Sequence, residues 1–366
     1  MRVALIHDWL TGMRGGEKVL EALCDLYPEA PIYTLIHVPG AVSKKIESHP
    51  IHTSFLQRMP MVRKHYRNYL PLFPSAIESF NLRNFDFIIS SSHCVAKGVI
   101  PSLDAKHLCY IHTPMRYIWS HYEDYFGDHR TGYIKRKTVS RVAKYLKLWD
   151  VASNKRVDQF VANSKFVAGR LESYYGREAS VIYPPVDVDF FQPGDKPREE
   201  FYLVVSALVP YKRIEIAIEA FNKSGKKLVI VGNGPDGKHL RKIASSSVMF
   251  LGSVPPEKLR ELYQTARALI QPGVEDFGIN LVESIASGCP VIAYREGGAL
   301  ETVVEGETGL FFNHLEADEL RSIIDKAGGL SFNIGLMRES SMRFSPARFQ
   351  NEIRDLIQQK FLTVND

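Results

Sequence analysis

The sequence predicts an α/β protein built from two doubly wound parallel-sheet domains, and three observations support this prediction. Short apolar segments alternate with amphipathic helical segments in both halves of the chain, a rhythm that is typical of parallel sheets. Pro184 and Pro185 interrupt the rhythm at mid-chain and form a stiff, extended connector. The length of 366 residues suits two domains of ordinary size. We place these domains at 1–183 and 184–345, with a further helical segment over 346–366.

The amino-terminal domain begins with a predicted strand at 2–7, a glycine-rich loop and a helix at 17–26. In the loop, Gly15 and Gly16 let backbone N–H groups approach a phosphate or a sugar closely. The loop lacks the GxGxxG spacing of dinucleotide sites, so this motif alone is a weak signal. Further strands are predicted at 85–90, 106–111 and 159–162, and polar residues follow each of them.

A histidine, His112, follows the predicted strand at 106–111 and precedes Thr113 and Pro114. Loops at strand ends carry many binding and catalytic residues, and imidazole is suited to proton transfer and hydrogen bonding near neutral pH. We favour a functional role for His112, and a structural hydrogen-bonding role is the alternative. His93 has a similar position after the strand at 85–90.

The carboxy-terminal domain shows the same alternation. Its predicted strands are 201–207, 227–231, 248–251, 268–271 and 290–293. Doubly wound sheets bind ligands beyond the carboxyl ends of their strands, so the loops that follow these strands share one candidate edge. In one of these loops Lys212 and Arg213 bring two cations to the start of a helix, where a phosphate is favoured. Gly232 lies in a second loop, in the sequence GNGP.

The stretch EDFGINLVE at 275–283 is the most informative segment of the chain. A turn at Phe277 and Gly278, followed by a helix from about Ile279, presents backbone N–H groups and the positive end of a helix dipole to an anion. Glu275 lies before that helix and Glu283 one turn inside it. Carboxylates accept hydrogen bonds from the paired hydroxyls of sugars and riboses, which favours a nucleotide-sugar ligand. An amphipathic helix with an acidic start is the alternative.

Charge is divided unevenly along the chain. Residues 1–180 carry 25 Lys and Arg against 16 Asp and Glu, whereas the remainder carries 21 against 25. The basic excess is concentrated in the segment 55–80, where cations interleave with aromatic and apolar residues. That segment could contact an anionic membrane surface or a lipid-linked phosphate, or it could be core packing with a solvated face. A second basic run at 135–137 lacks any nucleic-acid-binding motif, so no nucleic-acid partner is expected.

Composition excludes several other classes. No apolar run approaches membrane-spanning length, and the first residues are strand-like rather than leader-like. The four cysteines lack CxxC pairing, which predicts buried thiols and argues against a structural zinc site. Asp187 and Asp189 match the DxD pattern that holds a metal in some sugar transferases. Because they follow the Pro-Pro connector, we interpret them as turn residues.

These segments together carry a family resemblance. The motifs, in chain order, are GGE at 15–17, YIHTPMRYIW at 110–119, VANSKFVAGRL at 161–171, VIYPPVDVDFF at 181–191, LVPYKR at 208–213, VGNGP at 231–235, EDFGINLVE at 275–283 and SGCPVIAYREGGALETV at 287–303. With these motifs the chain resembles a family 4 glycosyltransferase of the GT-B fold. It is most similar to mannosyltransferases that assemble O-antigens and other bacterial surface polysaccharides. The resemblance implies two Rossmann-like domains that face a cleft, with the helix of 346–366 packed back on the first domain.

The resemblance implies that the second domain holds most of a nucleotide-sugar donor. Glu283 would take the ribose hydroxyls, and Lys212 with the backbone of 277–279 would hold the diphosphate. The glycines of 15–16 would reach the diphosphate from the first domain. The predicted donor-binding residues are therefore Gly15, Gly16, Lys212, Arg213, Gly232, Phe277, Gly278, Ile279 and Glu283.

The resemblance further implies a retaining transfer without a side-chain nucleophile. His112 would face the sugar and Glu275 would contact it, so these two are the predicted catalytic residues. Cations and helix dipoles would offset the charge of the leaving group, and neither a metal nor another cofactor is expected. One departure stands out: Ala207 occupies the position, five residues before the lysine, where the family usually has an arginine.

We therefore expect a GDP-mannose-dependent mannosyltransferase that acts on a lipid-linked glycan in O-antigen, capsule or exopolysaccharide synthesis. It would work in the cytoplasm, peripherally at the inner face of the membrane, with contact through 55–80. Three alternatives stay open. The donor could be a UDP-sugar, the enzyme could be a nucleotide-sugar epimerase or hydrolase, or Ala207 could mark a catalytically degenerate binding subunit.

Overall fold

The computed structural model describes residues 1–119 and 133–362, except for the side chains of 133–139. The chain divides into two compact units. The first unit comprises Met1–Pro185 and Pro346–Asp366, and the second comprises Val186–Ser345. The chain leaves the first unit at the predicted Pro-Pro connector.

Seven strands of the described residues form a parallel sheet in the first unit. They are β1 Val3–His7, β2 Ile32–Thr34, β3 Ile51–Thr53, β4 Phe87–Ser92, β5 Lys106–Ile111, β6 Gln159–Ala162 and β7 Ser180–Val181. Their spatial order is β3-β2-β1-β4-β5-β6-β7, so the winding direction changes between β1 and β4. Such a switch point is where the loops of a doubly wound sheet part to admit a ligand.

Helices cover both faces of this sheet. Their bounds are Gly15–Leu26, Lys44–Glu47, Val62–His65, Phe73–Glu78, Arg116–Trp119, Tyr133–Ser153, Lys165–Tyr175 and Pro346–Ile357, with short 3-10 turns at Phe55–Arg58, Tyr66–Leu72, Ala96–Gly98 and Asn154–Arg156, and a π turn at Gln358–Leu362. The helix Pro346–Ile357 buries Phe349 and Ile353 in the same apolar cluster as Leu5 and Ile89 of the sheet. Burying such side chains is the main source of the stability of this layer. The opposite face packs against Phe73–Glu78.

The second unit has a parallel sheet of six strands within the described chain. They are β8 Phe201–Val205, β9 Lys227–Val231, β10 Val248–Gly252, β11 Leu269–Gln271, β12 Val291–Tyr294 and β13 Gly309–Phe312. The spatial order β10-β9-β8-β11-β12-β13 places a switch point between β8 and β11. The helices are Ile214–Ser224, Gly237–Ile243, Pro256–Thr265, Ile279–Ala286, Ala299–Thr302, Ala317–Gly328 and Ile334–Met342, with a 3-10 turn at Pro210–Lys212. The prediction of two parallel α/β sheets is confirmed.

Two boundaries differ from the sequence prediction in ways that matter for the site. The strand predicted at 85–90 continues to Ser92, because the buried hydroxyls of Ser90 and Ser91 find histidine partners inside the fold. The first helix begins at Gly15 rather than at residue 17, so both glycines of the predicted loop lie in its first turn. Small residues there let the helix lie close to neighbouring side chains.

Other expectations can be checked directly. All four cysteines are buried thiols, as predicted. Among the described residues, no helix combines the length and the apolar character needed to cross a bilayer. The side chains of the basic run 135–137 lie outside the described residues. Arg141, Lys144 and Lys147, farther along the same helix, are exposed.

Candidate active site

An ion pair between Lys212 and Glu275 lies at the switch point of the second sheet. Lys212 ends the 3-10 turn that follows β8, and Glu275 lies in the loop that follows the neighbouring strand β11. The two side chains are only 9% and 14% exposed. Because little solvent screens the pair, its charges act strongly on each other and on any ligand that enters this edge.

Glycines hold the Glu275 loop against the loop that follows β12. Gly298 N donates to Glu275 O at 2.8 Å, and Glu275 forms a parallel bridge with Gly297. A Cβ on Gly298 would lie 2.3 Å from Phe277 Cα, so no side chain fits at that position. Gly278 has φ of +88°, a left-handed conformation that glycine adopts without cost, and the helix Ile279–Ala286 begins directly after it.

Two amides orient Glu275. Gln271 Nε2 donates to Glu275 Oε1 at 3.2 Å, and Asn280 Nδ2 donates to Gln271 Oε1 at 3.1 Å. Asn280 also donates to the carbonyl of Val205 at the end of β8. The sequence analysis missed both amides, although a glutamine that ends a buried strand is a signal that could have indicated the first of them.

The second glutamate of the motif, Glu283, is half-buried within Ile279–Ala286. The Tyr263 hydroxyl donates to Glu283 Oε2 at 3.1 Å. Burial, together with this neighbouring carboxylate, raises the pKa of Tyr263 well above its usual value, so the phenol stays a donor. A carboxylate has several acceptor sites, so Glu283 could accept hydroxyls of a ligand while it keeps this bond. Tyr263 was not among the predicted residues.

The remaining donor-binding predictions have structural explanations of their own. Phe277 is buried and packs edge-on against Phe344 at 5.4 Å, so only its backbone could serve a ligand. Gly232 has φ of +129°, and a Cβ there would lie 1.9 Å from Ser206 O, so close loop packing by itself requires glycine. Arg213 is exposed and pairs with Glu215 at 3.7 Å. Ala207 is exposed directly after β8 and brings no charge to this edge.

In the first unit, His112 lies at the end of β5 in a cluster at the β1/β4 switch point. The Ser91 hydroxyl lies 2.8 Å from His112 Nε2 and 3.2 Å from His7 Nδ1, so it can donate to one ring and accept from the other. A Cβ on Gly16 would lie 3.3 Å from the His7 ring and 3.5 Å from His112 Nε2. The predicted residues Gly16 and His112 are thus neighbours, whereas Ser91 and His7 were missed.

This cluster keeps His112 neutral. Burial lowers the pKa of His112 well below its usual value, and the nearby rings of His93 and His7 lower it further. Glu17 lies 3.7 Å from His7 Nε2. Although burial alone would raise the pKa of Glu17, the interaction with His7 leaves it below its ordinary value. A neutral His112 can form a hydrogen bond at neutral pH, but it does not readily accept a proton and so is poorly suited to act as a general base.

His93 has a structural role in this arrangement. Buried Asp8 accepts backbone N–H groups of His93, Cys94, Val95 and Ala96 at 2.6 to 2.9 Å, and it lies 3.1 Å from His93 Nδ1. The imidazole packs edge-on against Trp9 at 4.4 Å between ring centroids. Asp8 therefore fixes the loop after β4, and the sequence gives no local signal for this beyond a carboxylate at a strand end.

Among the described residues no group of three or more His, Cys, Asp or Glu side chains could hold a metal ion. The DxD residues make turn and helix contacts instead. Asp187 Oδ1 accepts the N–H of Phe190 at 3.0 Å, and Asp189 pairs with Arg338 at 3.0 Å.

Comparison with known proteins adds evidence from outside the fold. The family model described as Glycosyltransferase Family 4 matches residues 13–190, and the model described as Glycosyl transferases group 1 matches residues 186–328. The two matches overlap at 186–190, directly after the connector, and together include every predicted site residue.

Two curated proteins resemble parts of the chain. A D-inositol 3-phosphate glycosyltransferase of Acidothermus cellulolyticus is 34% identical over 187 residues, which are 42% of this chain and 42% of that protein. A GDP-mannose-dependent alpha-(1-6)-phosphatidylinositol monomannoside mannosyltransferase of Mycobacterium tuberculosis is 32% identical over 192 residues, 44% of this chain and 50% of that protein. The chain thus spans half or less of the length of these relatives.

A solved structure supports the fold along the whole chain. HepE of Anabaena, solved in complex with UDP and glucose, matches with a TM-score of 0.72 and 18% identity. The match covers 98% of this chain and 99% of HepE. At this identity the likeness speaks for the architecture alone.

Proposed function

Because this chain belongs to glycosyltransferase family 4, we propose that it transfers mannose from GDP-mannose to a lipid-linked glycan. The observation that carries the proposal is the buried Lys212–Glu275 pair at a switch point, beside the start of Ile279–Ala286. The lysine and the first N–H groups of that helix suit a diphosphate. The carboxylate suits sugar hydroxyls, and Glu283 suits those of a ribose.

We propose a retaining transfer in which the protein supplies position and charge. Entry of the donor diphosphate would give Lys212 a new anionic partner and release Glu275 to the sugar. Lys212 and the helix dipole would then stabilise the leaving diphosphate without a metal. In this proposal His112 forms a hydrogen bond with the transferred sugar. The lowered pKa of His112 keeps its ring uncharged at neutral pH.

The choice of donor is supported by a relative's printed specificity. The mannosyltransferase of Mycobacterium tuberculosis is described as GDP-mannose-dependent. The alternative donor is a UDP-sugar. HepE, which shares the fold, was solved with UDP and glucose bound. We further propose an acceptor presented at the cytoplasmic face of the membrane in surface-polysaccharide synthesis, where the exposed cations of 55–80 would contact it.

The donor is tested by calorimetric titration with GDP, UDP, GDP-mannose and UDP-glucose in the presence of EDTA. We expect binding of GDP and GDP-mannose alone. Glu283→Ala should weaken it about 100-fold, since two hydrogen bonds to a charged group are lost. Glu257→Ala, an exposed glutamate on the helix Pro256–Thr265 of the same unit, is the matched control and should change nothing. Selective binding of UDP-sugars would overturn the donor and leave the family intact.

Product analysis distinguishes glycosyl transfer from hydrolysis, epimerisation and binding without turnover. Incubation with GDP-mannose and a lipid-linked glycan should give a glycosidic bond that keeps the donor's anomeric configuration. Free mannose or an epimerised nucleotide sugar would indicate a hydrolase or an epimerase. Donor binding without turnover, unchanged by Glu275→Ala, would favour the binding subunit suggested by Ala207.

A further inference from the structure

The basic segment 55–80 is neither wholly core nor wholly surface. Tyr66 and Phe73 are buried and pack against Trp9, with ring centroids 5.1 and 6.0 Å away. The cations on the same short helices, Arg63, Lys64 and Arg67, are exposed. The aromatic side chains therefore fix the backbone from which the cations project.

These cations surround a cavity of about 460 Å³ within the first unit. Its walls consist of Thr11 and Arg14, from the segment between β1 and the first helix, and of residues 63–68. In the described part of the chain no carboxylate lines the cavity. Arg14, Arg63, Lys64 and Arg67 also form no ion pair with any described carboxylate, although other cations of this unit do. A concave site with four cations and no internal counter-charge fits a multiply charged anion.

Exposed apolar side chains lie on the same segment of chain as the cations. Phe55, Met61 and Leu72 are 44%, 68% and 40% exposed. Met61 has φ of +52°, a left-handed conformation that is strained for a side chain of this kind. A segment that exposes both cations and apolar groups suits a ligand that joins a charged head to a hydrocarbon.

We propose that this cavity binds the diphosphate through which the acceptor glycan is linked to its lipid. The inference rests on the proposed function, since a lipid-linked glycan acceptor brings a diphosphate and a hydrocarbon together. Guanidinium groups of Arg14, Arg63 and Arg67 would make paired hydrogen bonds to phosphate oxygens, and Lys64 would act as a point charge. The exposed apolar residues would contact the first isoprenoid units.

The test measures calorimetric binding of inorganic pyrophosphate and of farnesyl diphosphate to the full chain. We expect farnesyl diphosphate to bind more tightly, because the exposed apolar residues of the segment would add contact area. The double variant Arg63→Gln/Arg67→Gln should weaken both ligands about tenfold. Arg58→Gln, an exposed cation of the same segment that does not line the cavity, is the matched control and should weaken them less than about twofold. All of these side chains are exposed, so unchanged thermal unfolding is expected.

Three further measurements isolate the site. Lys212→Gln removes pyrophosphate binding at the donor site of the second unit and should leave the farnesyl diphosphate affinity unchanged. Loss of affinity in Lys212→Gln alone, or an equal loss in Arg58→Gln, would overturn the proposal. It would also be overturned if the double variant lost binding only to phosphatidylglycerol vesicles, because the ligand would then be an anionic bilayer surface. GDP titration of the same samples distinguishes failure of the proposed donor from failure of the proposed cavity site. Binding of farnesyl diphosphate without binding of GDP would contradict the proposed function and support the cavity site.

Discussion

Lys212 and Glu275 neutralise each other at an edge of the second sheet where a ligand would need both charges. The pair is held from two strands, since the lysine follows β8 and the carboxylate is fixed by the Gln271 and Asn280 amides after β11. If this ion pair is broken without a ligand, a buried charge is left without a partner, which is unfavourable. A donor diphosphate would supply a new partner for the lysine. In the proposed mechanism, the ion pair keeps both groups in place until a donor binds.

Glu275→Gln should therefore lower both stability and transfer. The free energy of unfolding should fall by about 3 kcal/mol, because the buried ammonium of Lys212 loses its counter-ion. The value of kcat should fall about 100-fold or more, as for loss of a charge-stabilising group. Urea unfolding and steady-state transfer assays measure the two effects. The double variant Lys212→Met/Glu275→Gln should recover much of the stability and none of the activity. Full activity in Glu275→Gln would remove this carboxylate from the mechanism.

Ser91→Ala tests whether the hydroxyl positions His112. We expect kcat to fall about fivefold to tenfold with little change in donor KM, since one hydrogen bond that orients the ring is lost. Ser90→Ala is the matched control, because that neighbouring hydroxyl bonds His107 instead, at 2.8 Å. The two variants should unfold at similar urea concentrations. A shared loss of activity would mean that the strand, rather than His112, is being perturbed.

Gly298→Ala should weaken donor binding, although the backbone conformation of residue 298 itself tolerates alanine. Its φ of −62° is open to any residue, but the added methyl group would lie 2.3 Å from Phe277 Cα and must displace the Glu275 loop. We expect the GDP affinity to fall about tenfold or more, with a destabilisation of about 1–3 kcal/mol from overpacking. Gly328→Ala, where nothing lies within 4 Å of the new methyl group, should leave nucleotide titrations unchanged.

Acid should destabilise the first unit through His107. This ring is buried, with Nδ1 2.8 Å from the carbonyl of Arg156, and burial lowers its pKa from 6.5 to about 4. Because the unfolded chain binds the proton first as pH falls, the stability contribution is complete above pH 6.5 and is lost between 6.5 and about 4. The loss should reach about 3 kcal/mol. Urea unfolding across this range measures the loss, and His107→Gln, which takes up no proton, should make the loss smaller. His93 and His112 act in the same direction.

Most of the central strands were predictable because they are buried and largely apolar, whereas the short strands β2, β3, β7 and β13 were not predicted. Lys227–Val231 and Lys106–Ile111 were located to the residue for this reason. Strand ends were harder where polar residues continue a strand. Ser90 and Ser91 are turn-forming residues in isolation, and only their histidine partners, from other segments, keep them in β4.

The local structure of the candidate site was predictable where it depends on one short segment. The interval from Glu275 to Glu283 is local, and the helix start between them follows from its own residues. Tyr263, Gln271 and Asp8 act through contacts with side chains or loops that the fold brings to them, and no spacing rule reports such contacts. Gly232 is required by loop packing whether or not a ligand binds, so this glycine gives no separate evidence for a ligand.

The second unit is an uninterrupted stretch of chain, whereas the first is assembled from two stretches that flank it. Val186 N donates to Phe344 O at 2.8 Å, so the points where the chain enters and leaves the second unit are adjacent. Phe349 and Ile353, which belong to the core of the first unit, are synthesised only after all of Val186–Ser345. During translation the first sheet therefore lacks part of the cover on one apolar face, beside the helix Gly15–Leu26, until the second unit has been synthesised. An early stop in the second unit would thus also leave the amino-terminal sheet without its covering helix.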